Sequence, residues 1–410
     1  MNVLLYLAEA FFIAYLMRLA ANKLKIPAVS GFVIGGVVLG GSMFFWIPGG
    51  RDFVERWMYS ENVLAKFQII NQIALGIIAL SIGSELEWKR LRNLGRSIIF
   101  IAFFEAFAAF IIVTAVIYGV WGNMSLALIL GAVSSATAPA ATVAVIQQYR
   151  AKGPLTSTIL AVVSLDDAIS FIIFAFALAI AKSSMRGEHI DFMVGLVSPV
   201  VEIIVSLFIG AAVGLVTAKF IGFADDRENL MFLLGAVILL VAGLAASLNV
   251  SELLANMACG AVLVNVYPFI KNKIRMSFST FVPIFYALFF IIGGAHLNLY
   301  SFPSLWVIAL VYFFCRSSGK ITGAFLGALS GNALPQVKNW IGFTLLPQVG
   351  AAVALALVVQ HEFSGGDYGE KGINLSHITI NVLLITTLLT EFIGPYMTKI
   401  SLIKAGEAKE

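Results

Sequence analysis

Two adjacent carboxylates, Asp166 and Asp167, stand inside the apolar run Val162-Val163-Ser164-Leu165-Asp166-Asp167-Ala168-Ile169-Ser170. An ionisable group inside a membrane span is costly and marks a functional site by default. Neighbours on a helix point about 100° apart, so one carboxylate can face a buried partner while the other faces a water-filled cavity. A hard cation takes oxygen ligands, and a carboxylate that is neutralised by a proton or by such a cation binds both at the same atoms. The chemistry these two residues suit is therefore exchange of a metal cation against hydrogen ions. Two acids serving helix packing alone are the plainer alternative, and an expensive one at mid-membrane.

Lys320 is the natural counter-ion, lying in Cys315-Arg316-Ser317-Ser318-Gly319-Lys320-Ile321-Thr322-Gly323. Unpaired there, a lysine would lose its proton or snorkel out, so pairing with Asp166 or Asp167 is expected. Arg316 is four residues earlier, on the same face and nearer the membrane edge, and cannot readily deprotonate. A structural ion pair with a glutamate such as Glu105 or Glu391 is expected for it. Gly319, Gly323, Gly327 and Gly331 form a small-residue packing seam. Glu9, Glu202 and Glu252 are expected near interfaces or subunit contacts, and His296 and His377 near span ends as solvated or capping groups.

Two segments carry prolines in polar settings: Ser134-Ser135-Ala136-Thr137-Ala138-Pro139-Ala140-Ala141-Thr142 and Thr344-Leu345-Leu346-Pro347-Gln348-Val349-Gly350. Proline removes a helix hydrogen bond, so the chain can break there and present free backbone groups to a cavity. Half-helix ends then supply dipoles of both signs. Ser134, Thr137, Pro139, Pro347 and Gln348 are expected to line the site, with Thr137 and Gln348 able to complete an ion's shell. A single proline kink in a packed helix is common, and two at repeat-related positions argue for more.

The elements that hold these residues must be membrane spans. Of 410 residues, 60% are hydrophobic and 12% charged, against about 25% charged in soluble domains. With a mean hydropathy of +0.96, this excludes soluble enzymes, disordered scaffolds and nucleic-acid binders. Cys259 and Cys315 both lie in apolar runs, so no disulfide framework is implied. The stretch Val3 to Met17 has no basic residue before it and no small-residue cleavage site, and reads as a first span rather than a signal peptide. A span needs about 20 apolar residues. That ruler gives thirteen candidates, at 3–21, 29–46, 67–84, 97–118, 124–146, 158–181, 192–220, 230–248, 253–268, 278–295, 305–329, 340–359 and 375–398. A short acidic loop, Asp225-Asp226, separates the seventh and eighth.

With the N-terminus outside, the cytoplasmic turns and tail hold seventeen lysines and arginines against six on the other side. This bias supports N-out, C-in. The segment from Lys25 through Gly35 opens the second span in the style of Asn249 through Gly260 in the ninth. Gly83-Ser84-Glu85-Leu86 closes the third as Gly294-Ala295-His296-Leu297 closes the tenth, and Pro139 corresponds to Pro347. These offsets lie between about 208 and 225 residues and an odd number of spans apart, so the halves are expected to be inverted, as in transporters that work by alternating access. Composition alone can also make glycine-rich apolar spans look alike. Gly319-Lys320 lacks the rest of a phosphate-cradling loop, which excludes ATP-driven pumping by this chain.

These residues resemble the monovalent cation/proton antiporters, in particular the electrogenic sodium/proton branch of NapA and NhaA type. The resemblance covers nearly the whole chain: Ile26-Pro27, Gly83-Ser84-Glu85-Leu86, Ala136-Thr137-Ala138-Pro139, the Asp-Asp pair, Gly319-Lys320 and Leu346-Pro347-Gln348-Val349-Gly350. It implies an all-α, NhaA-type fold in which two interrupted helices cross at the ion site. Asp167 matches the principal cation and proton carrier, and Asp166 the residue that pairs with the lysine, Lys320. Electroneutral relatives have Asn and Arg at those last two places, so the resemblance implies two protons exchanged for one sodium. It also implies a homodimer in an integral plasma or inner membrane location, with a part in pH homeostasis. The static dimer domain would come from about 1–66 and 192–275, and the mobile core from about 67–191 and 276–410. No cofactor is expected, only transported Na+ or another monovalent cation and H+.

Three alternatives stand beside this reading. Potassium/proton exchange would use the same scaffold, because Na+, Li+ and K+ take the same oxygens. Sodium-coupled organic-anion symport would use a similar architecture. An intramembrane aspartyl protease needs two carboxylates facing one peptide bond, which neighbours on one helix fit badly.

Overall fold

Caps, prolines and glycines set where the helices begin and end. The computed structural model describes residues 3–24, 28–40, 67–84, 86–87, 95–138, 142–143, 145–146, 149–185, 192–221, 226–248, 250–267, 270–295, 302–348, 350–363 and 368–408, and the regular elements among them are all helical. In chain order they are α1 (Val3–Leu24), α2 (Ala28–Gly40), α3 (Gln68–Gly83), α4 (Arg96–Trp121), α5 (Met124–Ser134), α6 (Pro154–Met185) and α7 (Phe192–Phe220). There follow α8 (Arg227–Ser247), α9 (Glu252–Val266), α10 (Ile270–Ala295), α11 (Phe302–Ser330), α12 (Pro335–Thr344), α13 (Gly350–Phe363) and α14 (Gly369–Lys404).

The apolar helix α4 ends at Gly122, whose φ of 67° lies in the left-handed region and whose N–H donates to the Tyr118 carbonyl. Glycine adopts that conformation without a Cβ penalty. The next residue, Asn123, caps α5 by accepting from the Leu126 N–H at 3.0 Å. Asp226 does the same for α8 through the Asn229 N–H at 2.7 Å. The acidic loop between the seventh and eighth segments thus ends in a helix cap. Pro335 opens α12, where a missing N–H costs nothing.

Among the described residues, five helices are long and apolar enough to cross a bilayer, namely α1, α4, α7, α8 and α11; α14, bent by 46° a few residues before Pro395, makes a sixth. Other apolar segments form shorter helices, such as α5, α9 and α13 with 11, 15 and 14 residues. Two of the thirteen expected spans are cut by breaks: α5 stops at Ser134 and α12 at Thr344, with non-helical chain at 135–138 and 345–348. Large apolar side chains cover the outside, with Phe12, Phe208, Phe232 and Phe392 all more than 60% exposed. Water would penalise that coat and hydrocarbon does not.

Close helix crossings hold the interior. Along α11, the expected glycine seam lies against α4: a Cβ on Gly319 would sit 2.6 Å from the Ala109 Cα, and Gly323 faces the Phe104 carbonyl. Elsewhere α2 crosses α10 at Gly36 and Gly294, and α9 crosses α3 at Gly260 and Gly83. The N-terminus of α6 is clasped by the C-terminal tail. Glu407 accepts from the Leu155 and Thr156 N–H groups at 2.6 and 2.7 Å and from the Thr156 hydroxyl at 2.7 Å.

Candidate functional site

Where α5 and α12 stop, their last carbonyls have no helical partner. Side chains and backbone from elsewhere in the chain take them up. Arg316 on α11 donates from Nε to the Ser134 carbonyl at 3.1 Å, and from its terminal nitrogens to the Ala136 carbonyl at 2.8 Å and the Leu346 carbonyl at 2.7 Å. The Gln348 amide donates to the Val133 carbonyl at 3.0 Å and to the Tyr312 hydroxyl at 2.8 Å. The Thr142 hydroxyl donates to the Thr344 carbonyl at 2.9 Å. Ala138 N–H donates to the Pro347 carbonyl at 2.9 Å, joining one break to the other. The Ser134 hydroxyl turns back to its own helix at the Gly131 carbonyl. The two breaks thus meet, and one planar guanidinium spans both of them.

Beside that junction sits Lys320, one turn along α11 from Arg316 and fully buried. Its ammonium donates to the Ser135 carbonyl and to the Thr137 hydroxyl at 2.8 Å. Ser135 is the residue whose carbonyl a helix would have bonded to position 139, where proline has no N–H to give. The same ammonium lies 3.3 and 3.5 Å from the two carboxylate oxygens of Asp166, which is fully buried on α6. It lies 2.5 Å from Glu105 Oε2, from α4, also fully buried. Burying these charges is tolerable only because they neutralise one another and use up hydrogen-bonding capacity.

The structure brings Ser134, Thr137, Asp166, Arg316, Lys320, Pro347 and Gln348 into one buried cluster. Arg316 departs from expectation. It is not at a membrane edge but 1% exposed at the centre, its donors go to main-chain carbonyls, and Glu105, one expected partner, contacts Lys320 instead. The reason is the breaks, whose orphaned carbonyls offer a fork of donors better-placed acceptors than a single carboxylate would. The side chains of Asp167 and Glu391, and Pro139, lie outside the described residues, as do Ile26-Pro27, Glu85 and His296. Oxygen atoms with spare capacity remain near the junction: among the described residues, Gln348 Oε1 and the hydroxyl of Ser170, one turn beyond Asp166, are buried without a hydrogen-bond partner.

Some partners were not visible in the sequence. Tyr312 and Ser170 read there as ordinary helix residues. Glu202 forms a contact within the chain, 3.7 Å from Lys182, which also holds Glu362 at 2.9 Å. That cluster ties α6, α7 and α13 together away from the breaks.

The profile of the family described as sodium/hydrogen exchanger, transmembrane, matches residues 9–404. Among solved structures, the chain is similar to the sodium proton antiporter MjNhaP1 from Methanocaldococcus jannaschii at pH 8, with a TM-score of 0.74 at 18% identity over 98% of each chain. A structure of the same antiporter from electron microscopy matches over 100% of each chain, with a TM-score of 0.67 at 18% identity. At that identity the likeness speaks for a shared fold. A comparison with curated protein sequences returns no match.

Proposed function

This chain belongs to the sodium/hydrogen exchanger family, and from that premise we propose that it is an electrogenic sodium/proton antiporter in which the cation and protons compete for Asp167 and Asp166. It is an integral membrane protein, a transporter rather than an enzyme. The observation that carries the reading is the buried Asp166 carboxylate beside Lys320 at the junction of two helix breaks. A carboxylate so placed needs a neutralising partner. A proton and a dehydrated sodium ion fill that role at the same oxygens, so one leaves as the other binds. Thr137, Gln348 and backbone carbonyls freed at the breaks are the neutral oxygens that complete the cation's shell. Alternating access then carries the site from one face to the other, the core from about 67–191 and 276–410 moving against a scaffold from about 1–66 and 192–275 in a homodimer. Thirteen spans, N-out and C-in, with inverted halves suit this division. The paired crossings support the repeat: α2 on α10 and α9 on α3 are the same crossing with the two halves exchanged.

In proteoliposomes the wild-type chain should convert a proton gradient into sodium movement and generate a membrane potential. Asp167→Asn should abolish exchange, and Lys320→Gln should change its electrogenicity or its pH dependence. Lowering the pH should raise the apparent KM for sodium, by up to about tenfold per pH unit for one competing proton, with little change in the rate at saturating sodium. Unchanged exchange in Asp167→Asn would remove the mechanism. Running the assay with sodium, lithium and potassium separates sodium from potassium exchange. Sodium movement only in the presence of an organic anion would point to symport.

A further inference from the structure

An ammonium group has three N–H bonds to give, and among the described residues four groups surround that of Lys320. Glu105 Oε2 at 2.5 Å, the Thr137 hydroxyl at 2.8 Å and the Ser135 carbonyl are close, while the nearer Asp166 oxygen is at 3.3 Å. Charge-assisted bonds of this kind run to about 2.7–2.9 Å, so Asp166 is the group left over. Glu105, for its part, is fully buried, and its carboxyl group faces both that ammonium and the carboxyl group of Asp166. The two partners also sit on helices that cannot easily part. Glu105 on α4 and Lys320 on α11 flank the glycine seam, where Gly323 touches the Glu105 backbone itself. Asp166 comes from a third helix, α6.

We infer that Glu105 is the standing counter-ion of Lys320, and that by holding the ammonium it leaves the Asp166 carboxylate to the transported cation. Glu105 is then a positioning residue that sets cation affinity without touching the cation. This rests on the exchange reading above. It departs from the pairing that the resemblance implied, in which Asp166 itself holds the lysine. If Glu105 is removed, the nearest carboxylate for the stranded ammonium is Asp166, and sodium must displace an ion pair before it can bind.

The test is sodium-dependent exchange in proteoliposomes at one fixed pH, with the thermal stability of each variant measured in detergent. Glu105→Gln should raise the KM for sodium about tenfold or more, because breaking a buried pair leaves a charge that finds the wrong partner. The maximal rate should change far less. Glu105→Asp, which keeps the charge, should recover most of the affinity. The double variant Glu105→Gln/Lys320→Gln, which removes the stranded ammonium, should bind sodium more tightly than Glu105→Gln alone. A merely structural glutamate would lower the melting temperature of both single variants and leave the KM of the surviving protein at the wild-type value. That result overturns the inference, as does a double variant no tighter than the single. A wild-type chain that moves no sodium against protons would instead sink the exchange reading, and this inference with it.

Discussion

Arg316 shows how much one side chain can decide. Its guanidinium reaches three main-chain carbonyls, from residues 134, 136 and 346, on two separated breaks. Lysine has a single charged centre on a flexible stem and cannot span that fork. Arg316→Lys should therefore leave at least one buried carbonyl unpaired and cost roughly 2 kcal/mol or more, read as a lower melting temperature in detergent. It should also loosen the junction next to Lys320 and slow exchange. A variant with unaltered stability would mean that the breaks hold each other without the guanidinium, through bonds such as Ala138 N–H to the Pro347 carbonyl. An exposed arginine would show no such sensitivity, and Arg316, four residues before Lys320 on the same face, was expected nearer the edge because its sequence neighbours give no hint of acceptors. The carbonyls it meets become acceptors only after two distant helices have stopped short.

Among the elements, α6 carries the acidic pair, and its N-terminus is held from outside. Two free N–H groups and one hydroxyl at Leu155 and Thr156 donate to Glu407, while Lys152 N–H donates to the Glu407 carbonyl at 3.2 Å. A carboxylate there satisfies orphan donors and meets the positive end of the helix dipole. Glu407→Ala should cost about 1 kcal/mol, as loss of a helix cap does, and Gly153→Ala should act in the same direction, because the added Cβ would occupy the place of the Glu407 carboxyl group. Thermal unfolding of the two variants checks this. If neither shifts, the tail does not restrain α6. The same scale explains why the breaks could be read in advance and the clasp could not. Pro139 and Pro347 act on their own helices through a missing N–H, a local effect. Glu407 acts on a helix about 250 residues away, and nothing in its own neighbourhood, Ala-Gly-Glu-Ala-Lys-Glu, announces a cap.

For the whole molecule, the bias of seventeen cations against six is the ground on which we propose a C-terminus inside. A cysteine placed at the tail by Ala408→Cys should react with a membrane-impermeant maleimide only when the cytoplasmic face is exposed. The native Cys259 is buried and Cys315 half-buried within helices, so they give a low background. Labelling from the outer face would reverse the orientation. What the sequence by itself determined is everything carried by composition and local chemistry: a bilayer-embedded helical chain, two prolines that interrupt it, and an acidic pair and a lysine whose cost inside an apolar run marks a function. Which partners these groups find was settled only in the tertiary structure. Glu105 rather than Asp166 stands closest to Lys320, Arg316 serves carbonyls rather than a glutamate, and Glu202 finds Lys182. Hydrophobicity and helix-breaking act along the chain and leave a local trace. A buried charge instead takes whichever compensating group the crossing of distant helices sets within about 3 Å, and spacing along the chain does not encode that distance.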